Sequence, residues 1–169
     1  MMDVPEPGLR QYAAGRPGRG GLPAPVEFRL PYQSVVYDVT NESADPALVG
    51  IVSAGKKIGL TAPPGQRRFM VVSEAADFMD AELVAGKTYY ALVTPRMGMW
   101  RVRFSLRPMN ASDPELLNYL TTTNWVENTA TSAAWSRENM FSVKAKKAEY
   151  LVEWLAKPDK PILRVGDGK

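Results

Sequence analysis

Hydrophobic and polar positions follow three different rhythms along the chain. Residues 1–25, MMDVPEPGLRQYAAGRPGRGGLPAP, show hardly any apolar period and are dense in Pro and Gly. Such a segment has too little apolar surface to offset its ordering entropy, so the expectation is a mobile leader or extended arm. Over residues 26–109, short runs rich in Val, Ile, Tyr and Phe alternate with Gly and Pro punctuation. That is the pattern of strands joined by turns. From 110 to 169 the period lengthens to that of helices.

Within the strand region, SVVYDVT places Val35, Tyr37 and Val39 on one face and Ser34, Asp38 and Thr40 on the other. ALVGIVS follows, then a turn at Ala54-Gly55, then KKIGLTA with Ile58 and Leu60 opposite Lys57. APPGQRRFMVVSE opens with a Pro-Pro-Gly turn and continues as a strand; Ala85-Gly86 separates MDAELV from KTYYALVT. WRVRFSLRP alternates cleanly, with Val102, Phe104 and Leu106 inward and Arg101, Arg103 and Arg107 outward. About seven strands at this spacing predict a mainly β fold, a sandwich or an open barrel, with an antiparallel β-sandwich over 26–109 as the leading expectation. Tyr89 and Tyr90 must face opposite ways in a strand, and both faces there are mostly apolar. The prediction is a central strand covered on both sides, with both tyrosines in structural roles.

The region 110–169 predicts a helical C-terminal extension. Ser112-Asp113-Pro114-Glu115 reads as a capping box with proline in the first turn, followed by Leu116, Leu117 and Leu120 as a buried side. TTTNWVENTATS reads as a loop anchored by Trp125. A long amphipathic helix is expected from about Ala133 to Lys157, stopping at Pro158. Its apolar stripe is Phe141, Ala145, Ala148, Val152 and Leu155, with Leu151 beside it. That stripe is expected to pack on the sheet or to meet another subunit. The tail PILRVGDGK adds a short strand or simply docks.

Composition then narrows the chemistry. The 169 residues include neither cysteine nor histidine. Disulfides, thiol catalysis, thiolate metal sites, Ser-His-Asp triads and histidine acid–base work are therefore excluded. With 45% hydrophobic and 23% charged residues the balance is that of a globular protein, and a net charge of +3 does not favour nucleic acid. No apolar run approaches the ~20 residues of a membrane span. Nothing resembles a signal peptide at the start, although membrane association without a span stays open.

Four groups of residues could carry chemistry or contacts. Arg101, Arg103 and Arg107 form a row that could hold phosphate, sulfate or carboxylate, joined by Lys56, Lys57, Arg67 and Arg68. A solvated sheet face is the competing account. Asp77, Asp80 and Glu82 are the densest acidic cluster, placed in a loop and strand entry as solvated acids; a carboxylate-based hydrolase is the remote alternative. Lys144, Lys146 and Lys147 lie opposite the apolar stripe of the long helix, as in a basic amphipathic helix or an ordinary surface helix. Trp135 and Trp154 on that helix are candidates for partner contact. No catalytic residue, metal ligand or cofactor is assigned.

The order GKKIGLTA, then PPG entering RRFMVV, then AGKTYY resembles a bacterial family of uncharacterised envelope lipoprotein-type β-sandwich domains, PEGA-like in style. The matching positions are Gly55 and Gly59, Pro64 and Gly65, and Gly86, Lys87, Tyr89 and Tyr90. The likeness covers about residues 34–107, and the lipobox cysteine is missing. The resemblance implies a fold and an envelope or periplasmic setting, with a cytoplasmic setting as the alternative. It transfers no catalytic residue. The functional expectation is a non-enzymatic accessory protein that contacts other protein subunits, possible members of a larger envelope assembly. An anion-binding module for nucleic acid or anionic lipid, using the arginine row, is the alternative.

Overall fold

The computed structural model describes residues 33–97 and 102–169; the 1–25 leader lies outside them. In chain order the elements are β1 (Ser34–Asp38), β2 (Ala47–Val52), β3 (Lys56–Lys57), β4 (Gly65–Val72), β5 (Ala76–Leu83), β6 (Tyr90–Met97) and β7 (Val102–Met109). Then come α1 (Pro114–Thr122), β8 (Asn124–Trp125), α2 (Ala130–Leu155), β9 (Ile162–Leu163) and a final 3-10 turn, Val165–Asp167. The fold is mixed α/β and strand-rich, with a long C-terminal helix.

Five strands form the main sheet in the order β2-β1-β4-β5-β9, with β9 parallel to β5 and the other pairs antiparallel. β6 and β7 pair only with each other. Seven strands do lie among the described residues of 34–109, but they divide among the main sheet, which β9 completes, the β6–β7 hairpin and a short β3–β8 pair. The expected turns at Ala54-Gly55 and Ala85-Gly86 are present. Their glycines adopt φ of 74° and 79°, a left-handed backbone that a side chain would strain. In the β1–β2 register Val36 faces Gly50 but Tyr37 faces Leu48, so Val49 bulges out of the edge strand. Its freed carbonyl accepts from Asn128 Nδ2 at 2.9 Å, which ties the approach to α2 onto that edge.

Strand alternation sends side chains into two cores. Val35, Tyr37, Val39, Met70, Val72 and Phe78 pack with Ile51 and with Val143 and Trp154 of α2. Val36, Val71, Met79 and Ala81 pack with Leu106 of the hairpin and Leu163 of β9, with Val93, Phe104 and Tyr89 alongside. Helix, sheet and hairpin thus form three layers, and residues before and after position 110 contribute to both cores. The doubly covered strands are β1, β4 and β5, not β6, which begins at Tyr90 with Tyr89 just before it. Apolar residues on both faces of a strand therefore do not by themselves report cover on both faces. Tyr89 packs into the hairpin-side core, and the Lys169 ammonium lies 5.5 Å over the Tyr90 ring.

The chain end docks on the AGKTYY segment. Thr88 and Lys169 exchange backbone hydrogen bonds of 2.8 and 3.2 Å. Lys87 Nζ donates to the carbonyls of Val165 and Gly168, both at 3.2 Å. The Tyr89 ring lies so close to Gly168 that an added Cβ would come within 2.8 Å of it. That motif therefore holds the tail.

Both helices differ in detail from their predictions. The cap of α1 is Asp113, which accepts from the N–H of Glu115, rather than Ser112. Leu116 is buried, whereas Leu117 points to solvent. Lys57 Nζ donates to the Leu120 and Thr123 carbonyls at 2.7 and 2.6 Å, placing a cation at the carbonyl end of α1. Trp125, expected to anchor the loop, is 67% exposed in the short β8 beside β3.

The orientation of α2 is the larger correction. It starts at Ala130 behind a reciprocal capping box of Thr129 and Ser132. Its buried side is Ser132, Ser136, Val143 and Trp154, flanked by half-buried Trp135, Met140, Tyr150 and Leu151. The predicted stripe faces away: Phe141 is 90% exposed, Val152 71% and Leu155 48%, and Ala145 and Ala148 are exposed too. Both stripes have helical period. The one that docks offers two indoles, a phenol, Met140 and Leu151, against one phenyl, a Leu, a Val and two alanines on the other, so docking it removes more surface from water. Trp154 is 1% exposed, 5.8 Å from the Phe78 ring, with the Arg68 guanidinium 5.0 Å over its face. Ser136 Oγ and the Tyr37 hydroxyl lie 3.1 Å apart across the same seam. Burial raises the Tyr37 pKa, against the smaller lowering by Ser136.

This orientation makes a direct contrast between variants. Trp154→Ala should cost about 3–5 kcal/mol, the range for emptying a buried aromatic site. Phe141→Ser should change stability by no more than about 0.5 kcal/mol, as at other exposed positions. Urea melts of both variants check it; comparable losses would mean that α2 docks through its other face.

Candidate functional site

The cations of the predicted basic face are mostly paired. On β4, Arg67 binds Asp38, while Arg68 grips Asp80 with Nε at 2.7 Å and NH2 at 3.2 Å. Lys57 serves the end of α1. Arg101 lies outside the described residues. Arg107 is exposed and reaches Glu115 at 3.4 Å. Arg103 is exposed and sits directly across the hairpin from Arg96, whose NH2 lies 3.8 Å from Asp77. Like charges in cross-strand register repel, so this pair is the least balanced part of the row.

The acidic cluster lies in β5, not in a loop, and strand alternation divides it. Asp77 is buried and accepts from Ser105 Oγ at 2.5 Å, with Lys157 Nζ 3.4 Å away. Asp80 belongs to the opposite alternation set and is held by Arg68; Glu82 accepts from Gln66 Nε2 at 3.3 Å. The carboxylates act as separate ion-pair and hydrogen-bond partners rather than as one facing pair. Among the described residues, no group of three or more His, Cys, Asp or Glu is placed to hold a metal ion.

Opposing influences act on the Asp38 carboxyl. Burial pushes its pKa up, but the hydroxyl and N–H of Thr40 and the Arg67 guanidinium outweigh that. The net effect holds it below the ordinary carboxylate value. Depressions among the described residues include one of about 350 Å³ beside Trp125, Ile58 and Val126, and one of about 340 Å³ beside Asp38, Asn41 and Arg67.

The tryptophan candidates separate. Trp154 is sealed in the helix-side core, so it cannot meet a partner; Trp135 is half-buried against the same core. The basic run also divides. Lys146 lies on the sheet-facing flank and donates to the Ser73 carbonyl, whereas Lys144 is exposed and reaches Asp45 at 2.6 Å.

Among the described residues, the outer face of α2 groups several of the exposed large hydrophobic side chains. Phe141, Ala145, Ala148, Val152 and Leu155 recur every three or four residues, so they form one ridge along the axis. At roughly 100° per residue the ridge lies nearly opposite Val143, Tyr150 and Trp154. Sequence reasoning found the ridge but put it indoors. The available signal was the second apolar stripe, which contains the bulkier residues. No helix among the described residues is long and apolar enough to cross a membrane.

No known protein family, curated protein or solved structure matches the chain. Candidate contacts therefore rest on geometry and chemistry.

The Asp38 environment generates a pH prediction. A folded pKa below the unfolded value of about 3.9 means stability that is fully present above that value. It is lost as pH falls through the folded pKa. Asp38→Asn should therefore be less stable than the parent at neutral pH, and the gap should shrink below about pH 4. Urea melts at both pH values check it; a gap independent of pH would exclude Asp38 as the source.

Proposed function

We propose that the chain is a non-enzymatic interaction module that holds a partner protein against the outer face of α2. The observation that carries this reading is the exposed ridge, with Phe141 90% and Val152 71% exposed. The helix is already anchored through its other side, so the ridge is not needed for the fold. Single exposed apolar residues are ordinary, but a contiguous row on a rigid element is the form that protein contact sites take. Apolar anchors at helical spacing are what a helix-in-groove or helix–helix contact reads. The likeness of the turn and strand motifs to envelope domains supports a place for this module in a bacterial envelope assembly.

The arginine row supports a second reading, an anion-binding module for nucleic acid or anionic lipid. Arg103 facing Arg96 across the hairpin is the feature in its favour, because a bound anion would relieve their repulsion. Binding of labelled oligonucleotide or anionic vesicles that falls steeply with salt would support it; absent or salt-insensitive binding rejects it.

For the leading reading, Phe141→Glu and Val152→Glu should keep the parent melting temperature within about 2 °C, as surface changes do. Immobilised parent protein and both variants are compared for proteins captured from the native host, followed by mass spectrometry. A partner lost from both variants supports the ridge. An identical set of captured proteins on all three rejects it.

A further inference from the structure

We propose that the occupant of the α2 ridge is a second copy of this chain, paired helix against helix in parallel around a two-fold axis. This rests on the preceding reading that the ridge is a protein contact site. The first support is the register. Taking Ala145 and Val152 as heptad positions a, and Phe141, Ala148 and Leu155 as positions d, the ridge keeps the spacing of a coiled-coil seam. It runs for about 21 Å, two heptads at about 1.5 Å per residue. It is bounded by Arg137 and Glu138 before it and by Pro158 beyond the helix end.

Charge on the flanks favours a self-pair and fixes its direction. In this register Lys144 is a g position and Glu149 the following e position, on opposite shoulders of the ridge. Both are exposed. In a parallel pair each g residue meets the e residue five positions on in its neighbour, so Lys144 would meet Glu149 twice across the axis. In an antiparallel pair g faces g and e faces e, which brings like shoulders together. Lys144 also reaches Asp45 at 2.6 Å, but an ammonium has three donors and can serve two carboxylates.

Shape points the same way. A β-branched residue at a and Leu at d, as in Val152 and Leu155, favour two strands over three or four. Ala145 and Ala148 allow the two helices to approach closely at the middle of the ridge. The sheet and hairpin lie behind α2, on the side of Val143 and Trp154, so they leave the ridge accessible. The contact is isologous: each copy offers the same patch.

The test uses sedimentation equilibrium of the purified full chain over a range of concentration. The expected result is a reversible monomer–dimer equilibrium that Phe141→Glu and Val152→Glu both shift to monomer, while at a concentration where the parent is monomeric both keep its melting temperature. Glu149→Lys should raise the dimer dissociation constant by roughly tenfold, since two attractive pairs become repulsive. Adding Lys144→Glu to that variant should restore most of the affinity. A parent that is monomeric at every concentration overturns the self-pair; the ridge as a protein contact site then stands or falls on the capture experiment. A dimer unaffected by Val152→Glu overturns the ridge as its interface. A dimer broken by Val152→Glu but not rescued by the double charge exchange overturns the parallel arrangement.

Discussion

Three neighbouring strands, β1, β4 and β5, carry apolar side chains on both faces, and each face has to be removed from water. Val35 and Tyr37 point one way while Val36 points the other; Met70 and Val72 oppose Val71 in the same manner. A sheet built like this needs two covers. On one side the cover is α2, inserted through Trp154 and Val143; on the other it is the β6–β7 hairpin, inserted through Leu106. The placement of every other element follows from supplying and tethering those covers.

The tethers are polar and local. Asn128 binds the bulged edge of β2 and leads into the cap of α2. Lys57 pins the carbonyl end of α1, and Lys87 with the Thr88 backbone holds the chain end beside Tyr89. Partly buried charge is handled in pairs: Arg68 neutralises Asp80 while its guanidinium lies over the Trp154 ring. Such pairs satisfy groups that the covers would otherwise desolvate unpaired. They also explain why the arginines and acids do not gather into one site. Arg67, Arg68, Arg96 and Arg107 are engaged where their strands leave them.

Function is therefore sought where the fold leaves material unengaged. The inner side of α2 is committed to the sheet, and its outer side is a row of exposed apolar residues flanked by opposite charges. A helix held rigidly from behind presents such a row at little entropic cost, since its side chains already stand on an ordered backbone. The face used to build the domain and the face offered to a partner are thus two sides of one element.

Turns, strands and helix starts were legible in the residues because their causes are local. Glycines at 55 and 86 meet a left-handed backbone, the alternation of SVVYDVT and FMVV separates two faces, and Pro114 opens α1. Which strands lie in the middle was not legible. KTYYALVT and FMVV both have two apolar faces, and only pairing over long sequence separations made one a hairpin arm and the other a central strand. Likewise, the absence of His and Cys limited the chemistry, but the division of Asp77 from Asp80 needed the register of β5. For α2 the sequence determined a long helix with two apolar stripes; it did not determine which one docks. That choice was made in tertiary packing, where Trp154 and Tyr150 fill the space above Phe78 and Tyr37 and Ser136 meets the Tyr37 hydroxyl, leaving Phe141 and Val152 outside.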